Sequence, residues 1–377
     1  MAKVQLGHMH IAAGQPLPFE LVDAHGRVLL KLGYIIQSEA KLDRLVERGV
    51  FFERVDNEEK QQAQAMTMEK TSVFSCVCEL ADAFAGFIDK EKPDYGGVPD
   101  IAGNIQRLCE QDSDAALACI LLRKKGRYAL RHSFHTAVLT ELLLKRLQHP
   151  AEDRRYAIAG ALTMNMCMLA LQDELYRQNA PLTPEQKRSI VTHPLTAAAL
   201  LREQGIDHPV WLKVVEHHHE MIDGSGYARK LLKNDLCIES QTVSLADRFC
   251  AMVSEREYRR GLPPGAAVKD LLGRQAATIT PELAEAFRKE VGCYPPGSVV
   301  TLVNSEMGVV VKRLLNPMQP LVRSLRAASG VRYPDPPKRA TSKQAYAIKE
   351  ELDADAAKDF DLALLWRQMA QDVTDEG

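Results

Sequence analysis

Eleven histidines are spread unevenly through the 377 residues. Three are consecutive, His217-His218-His219, and Glu220, Asp223, Gly224 and Gly226 follow closely. His132 and His193 lie upstream, and Asp247 lies downstream in Val243-Ser244-Leu245-Ala246-Asp247. Imidazole and carboxylate presented by neighbouring helices are a usual way to hold a divalent metal inside a bundle. Two metals bridged by a carboxylate and a hydroxide cleave phosphodiesters, because they lower the pKa of the water and neutralise attacking and leaving oxygens. A single helical histidine is usually a core or surface residue. A histidine pair followed by Glu and an Asp-Gly-Ser-Gly-Tyr loop is much rarer by chance and points to a metal or phosphate site. The glycines let that loop approach a ligand closely.

The elements that must position these groups are mostly helical. All of the groups except the glycine loop fall on segments that read as helices. From about 67 to 290, apolar residues recur every three or four positions, as in Val138-Leu139-Leu142-Leu143 and Ile190-Leu195-Ala198-Leu201. Thr183-Pro184-Glu185-Gln186 has a hydroxyl cap, Pro in the first turn and Gln three after the cap, which predicts a helix start. Residues 3–56 read as a small α/β unit. Leu17 to Asp23 and Val28-Leu29-Leu30 form a hairpin, then a helix runs from a Ser38 cap to about Arg48, is ended by Gly49, and is followed by a strand at Val50-Phe51-Phe52. Residues 57–66 are polar and Gln-rich. Between Pro295 and Arg323 the period changes to that of a closing β-hairpin, Ser298–Val303 and Gly308–Val311. The chain thus divides into an N-terminal unit (1–56), a helical linker (57–114), a main domain (115–325) and a charged tail (326–377) carrying at most one surface helix.

The string His218-His219-Glu220-Met221-Ile222-Asp223-Gly224-Ser225-Gly226-Tyr227-Ala228 resembles the signature of HD-GYP domains, with Ala228 in place of the last proline. His132-Ser133, Leu182-Thr183-Pro184-Glu185, His193-Pro194, Ala246-Asp247-Arg248-Phe249 and Tyr294-Pro295-Pro296-Gly297-Ser298 resemble other family motifs in the family's order, over roughly residues 115–325. The resemblance implies a mostly α, HD-domain-like helical core and cyclic-di-GMP as ligand. It implies His132, His193, His218, His219 and Asp247 as metal ligands, with iron or manganese as the metal. It further implies Asp223, Gly224, Gly226, Tyr227, Arg256 and Arg259 as nucleotide contacts.

One segment departs from the pattern. Where the family has a His-Asp pair and a following lysine, this chain has Met164-Asn165 and Met168, and Tyr128 stands where some members carry a glutamate. Asn165 is neutral and cannot bridge two cations. Met164 offers a thioether, a poor ligand for iron, manganese or magnesium. The expectation is one metal or none rather than two. The favoured reading is a non-catalytic regulator that binds cyclic-di-GMP or a protein such as a diguanylate cyclase. The alternatives are an active phosphodiesterase with an altered centre, giving pGpG or GMP, and a scaffold with no nucleotide role. The formal charge of −2 and the short basic clusters argue against general DNA or RNA binding. The absence of a signal pattern or of an apolar run of about 20 residues predicts a cytoplasmic chain independent of membranes. Eight cysteines in this length do not read as a disulfide framework, and Cys76 and Cys78 read as core thiols.

Overall fold

The computed structural model describes residues 2–5, 21–23, 28–30, 36, 39–47, 49–54, 72–90 and 92–366. They fall into two units, Met1–Lys70 and Thr71–Gly377. The first holds strands β1 (Ala2–Gln5), β2 (Leu21–Val22), β3 (Val28–Leu30) and β4 (Phe51–Arg54), antiparallel in the order β1-β4-β2-β3, with helix α1 (Glu39–Glu47). Leu42, Leu45 and Val46 share one face of α1 and pack with Leu21, Ile36 and Val50. The helix ends as expected at Gly49, whose φ of +64° suits glycine. Ser38, Leu17–Glu20 and the segment 57–66 lie outside the described residues.

The second unit holds eleven helices among the described residues: α2 (Val73–Ile88), α3 (Val98–Gln111), α4 (Ser113–Leu122), α5 (Tyr128–Arg146), α6 (Ala151–Thr163), α7 (Leu169–Arg177), α8 (Pro184–Glu203), α9 (Pro209–His217), α10 (Ile238–Val253), α11 (Pro264–Leu272) and α12 (Pro281–Glu290). The centre is α5, buried on every side from Tyr128 to Leu144, as expected of a helix wrapped by others. Its one buried acid, Glu141, is paired with Arg154 of α6 at 3.1 Å. Gly160 brings α6 against α9, since a Cβ there would lie 2.4 Å from Val214 Cγ1. Trp211 of α9 donates to Thr163 Oγ1 at 2.8 Å and fixes the end of α6. The Thr183 cap of α8 forms with Gln186 reciprocating, as the sequence predicts. Helices α2 and α3, within the stretch read as a linker, share one apolar core with α4 to α6. Cys76 and Cys78 pack at its edge as free thiols.

The predicted hairpin forms as β5 (Val299–Leu302) and β6 (Met307–Lys312), but it is part of a larger sheet. With β7 (Leu321–Arg326), β8 (Lys338–Ala340) and β9 (Ile348–Leu352) it is five-stranded, antiparallel, in the order β8-β7-β6-β5-β9. Alternation divides its faces. Val299, Val309, Val311 and Leu325 enter the helical core, whereas Val300, Leu302, Val310 and Val322 form a second cluster. The reading of residues 326–377 as a charged tail with at most one surface helix is thereby corrected. Residues 348–352 pair with β5 instead of forming a helix, and Trp366 stacks on Phe74 with ring centroids 4.9 Å apart. Charged residues run consecutively in these strands, Lys338-Arg339 and Lys349-Glu350-Glu351, so low mean hydropathy hides their pairing.

One polar network ties this segment down. Glu306 accepts from Ser324 Oγ at 2.6 Å, from Tyr333 Oη at 3.0 Å and from both ends of the Arg339 fork at 2.7 and 2.9 Å. The Arg339 bonds lead in holding the Glu306 carboxyl down to about 2, from an ordinary 4.5. A depressed carboxyl stabilises the fold above its unfolded value, so this contribution is lost as pH falls from 4.5 through about 2. Arg339→Met is expected to cost about 2–3 kcal/mol at neutral pH, at the low end for a broken pair because the guanidinium keeps some solvent. Denaturant unfolding of both forms at pH 7 and pH 3 checks this, and the difference should shrink at pH 3.

Candidate metal centre and cleft

The five predicted ligands converge from three helices and one helix end. His132 stands on α5, His193 on α8 just before Pro194, and Asp247 on α10, while His218 and His219 follow the last turn of α9. The Nε2 of His193 and the Nε2 of His218 are 3.0 Å apart. Each Nδ1 faces a backbone carbonyl: His193 with Ile190 O at 2.6 Å, His218 with Val215 O at 2.8 Å. A carbonyl only accepts, so each Nδ1 carries the proton and each Nε2 presents a lone pair. Two lone pairs at 3.0 Å repel unless a cation lies between them. A proton shared between the rings would also relieve this, but burial, with His218 adding to it, pushes His193 down to about 3 and disfavours that proton near neutral pH. Burial also lowers His218, and lowers His219 strongly.

The nitrogens of His193, His218 and His219 lie within 4.8 Å of one another. Two nitrogens at right angles on one ion, each about 2.1 Å from it, are about 3.0 Å apart. Neutral imidazoles fixed through Nδ1 are what a first-row divalent metal takes. The donor set therefore fits one such ion.

The remaining two predicted ligands hold each other. His132 Nε2 is 2.7 Å from Asp247 Oδ1, and Asp247 Oδ2 is 3.8 Å from His219 Nδ1. Burial would raise the Asp247 carboxyl, but the His132 bond and the imidazoles around it keep it well below the ordinary range. Tyr128 stacks on both His132 and Tyr176, with ring centroids 5.6 and 5.0 Å apart. Aromatic rings thus occupy the flank where the resemblance would place a glutamate.

A cleft of about 190 Å³ opens over this cluster, lined by His132, His193, His219 and Asp247 and by Tyr128, Asn165, Met168, Gln172, Tyr176, Tyr227 and Arg256. Ligand pockets usually measure about 300–1,000 Å³, so this one has room for a phosphodiester rather than a whole dinucleotide. Asn165, 2 % exposed, faces the cleft beside the His132–Asp247 pair. Met164 does not line it and belongs to the apolar core. Of the three methionines at 164, 166 and 168, only Met168 lines the cleft.

The six residues expected to contact nucleotide divide. Tyr227 and Arg256 line the cleft. Arg256 donates through Nη1 to Tyr258 Oη at 2.9 Å, and its buried Nε has no hydrogen-bond partner. Arg259 is exposed, donates to Ala251 O at 3.2 Å and does not line the cleft. Asp223 turns to Ser225, accepting from its N at 3.0 Å and its Oγ at 2.6 Å. Gly224 has φ +77°, and a Cβ on Gly226 would stand 2.5 Å from His219 O. Gly226 brings the loop against His219, Gly224 lies against Leu232, and neither lines the cleft. Glu220 accepts from the N–H groups of Lys230 and Leu231 and so holds the loop closed. The sequence reading missed Gln172 and Tyr176. They lie four residues apart on α7, one helix face turned to the cleft, and Met168 stands at the N-cap of that helix.

Residues 116–283 match the HD domain family. The helical fold around α5 agrees with that match and is the fold that the resemblance to HD-GYP domains implies. The chain is 26 % identical over 220 residues to a cyclic di-GMP phosphodiesterase of Pseudomonas aeruginosa, covering 58 % of this chain and 53 % of the relative. It is 25 % identical over 188 residues to a 3′3′-cGAMP-specific phosphodiesterase of Vibrio cholerae, covering 48 % and 41 %. It thus spans about half the length of these curated relatives. An HDG"Y"P protein of Bdellovibrio bacteriovorus has the same fold, with a TM-score of 0.51 and 16 % identity over 76 % of this chain and 99 % of the other. Among the described residues no helix is long and apolar enough to cross a membrane.

Proposed function

We propose that this chain is a cyclic-dinucleotide receptor derived from a phosphodiesterase, with cyclic-di-GMP as its first candidate ligand and with little or no hydrolytic activity. The observation that carries this is the composition of the cleft. It keeps a three-imidazole cradle and an arginine with an unpartnered Nε at the wall, yet Asn165 stands where a bridging carboxylate is needed. The relatives' printed activities supply the ligand class.

His193, His218 and His219 would hold one divalent ion, iron or manganese. Such an ion supplies Lewis acidity toward a phosphate oxygen. Everything else falls to the chain itself. Arg256 offers N–H groups to phosphate oxygens. Tyr227 and Tyr176 bound the slot and limit water. Asp247 is held as an anion by His132, which leaves it able to accept a proton only well below neutral pH. Asn165 is neutral, so it offers no second acid or base beside it. A protein partner such as a diguanylate cyclase remains part of this reading, with the receptor state as the signal.

The test is cyclic-di-GMP turnover with added manganese or iron, run beside calorimetric binding, with His219→Ala as control. Saturable binding without product supports the receptor. Product formed by the wild type and lost in the control establishes an active enzyme with an altered centre instead. Arg256→Ala is expected to weaken binding about 10- to 100-fold, the loss of one charge-assisted contact of roughly 1.5–3 kcal/mol. Unchanged affinity would remove Arg256 from the site.

A further inference from the structure

A second cavity, of about 270 Å³, lies where the turn after α10 meets the C-terminal sheet. Its lining joins apolar side chains, among them Leu121, Val253, Leu262, Val299 and Leu352, to three acids, Glu255, Glu351 and Asp353, and two cations, Lys124 and Arg260. Two polar side chains that line it each carry a buried atom without a partner. Ser298, 3 % exposed, has no hydrogen bond at Oγ, and Glu351 has none at the buried Oε1. Both stand on or beside strands β5 and β9, which pair Val300 with Glu351. Burial raises the Glu351 carboxyl to about 7, although Ser298 and the Gly265 backbone pull it down. The hydroxyl is therefore near the carboxyl, but not in the geometry of a formed bond. Of the two lining cations, Lys124 is already engaged by Glu255 at 2.9 Å and Asp355 at 2.6 Å, and Arg260 is exposed. Nothing in the mechanism above uses this cavity.

We propose that it is a binding site for a small organic cation with an apolar body, of the alkylguanidine or alkylamine class. The planar head would meet the Glu351 carboxylate and the Ser298 hydroxyl, and the alkyl chain would lie on the leucine and valine walls. A guanidinium matches a carboxylate through two parallel hydrogen bonds. Three lining carboxylates, Glu255, Glu351 and Asp353, against two cations, Lys124 and Arg260, leave the cavity net negative and favour a cationic head over an anion.

The experiment is an amide NMR titration of the full chain with n-butylguanidinium, and with n-butylurea as its neutral isostere. Saturable shifts are expected around Val253, Leu262, Ser298, Val299 and Leu352, with butylurea at least about tenfold weaker. Glu351→Gln should remove that preference. Because it also removes a buried carboxyl that resists ionisation, its thermal midpoint should rise at pH 8, which serves as the check on its folding. Ser298→Ala provides a second variant, expected to weaken binding by severalfold. No saturation at millimolar ligand, equal binding of butylurea, unchanged affinity in Glu351→Gln, or shifts confined to Tyr128, Tyr227 and Arg256 would each overturn the assignment.

Discussion

His218→Ala is expected to strip the protein of its divalent ion, lowering affinity at least about 100-fold. Losing an outer partner of a metal ligand typically costs 10- to 100-fold, and His218 is placed as a ligand itself. Its Nε2 faces that of His193 at 3.0 Å, with both Nδ1 atoms tied to carbonyls. Removing one ring leaves two imidazoles, too few to compete with water for iron or manganese. Elemental analysis of wild type and variant, both purified without chelator, reads the effect directly. About one equivalent falling to none is the expected result, and two equivalents in the wild type would contradict the reading of Asn165. The pH dependence follows from the same geometry. Burial holds His193 at about 3 against an ordinary 6.5, so the ring stays unprotonated and able to ligate between those values. Manganese affinity should therefore change little from pH 7 to pH 6, where a cluster of exposed histidines would already lose it.

The second large effect concerns Met164 and Asn165. Asn165→Asp places a carboxylate in the cleft next to Asp247, and Met164→His offers an imidazole at the adjoining position. In the double variant we expect metal content to rise from one equivalent toward two, and cyclic-di-GMP turnover to exceed the wild type by at least about 100-fold. Asn165→Asp alone should behave differently. Two buried carboxylates repel, so without metal its thermal midpoint should fall, and manganese should restore it. Met164 now fills the apolar core, so the histidine must turn toward the cleft at some cost in packing. Stoichiometry and a product assay on the single and double variants check the pair. A double variant that binds two metals yet makes no product would place the block at Tyr128 and Met168, which narrow the cleft.

The fold was legible where pattern and burial agree. The period of α5 and α8, the capping box at Thr183 and the β5–β6 hairpin all follow from local spacing. The order of histidines and the loop from His218 to Tyr227 marked the site, because chemistry leaves residue types that packing alone does not select. Residues 338–366 were not legible. Their strands are short and carry consecutive charges, and their stability comes from β5 and β7 and from the Glu306 network, all outside the segment. Tyr176 and Gln172 were missed because a helical stripe of such residues is ordinary until a cleft is known to lie beside it.

By itself, then, the sequence determined which groups can ligate and which are missing: the histidines, Asp247, and Met164-Asn165 in place of an acid and its partner. Only the tertiary structure decided how they are shared out. It set His193, His218 and His219 as one cradle, turned Asp247 to His132, and left Asp223 and Arg259 outside the cleft. The physical reason is that ligation depends on where lone pairs point. That direction is fixed by helix crossings and by hydrogen bonds to Ile190 and Val215, which no spacing in the chain encodes.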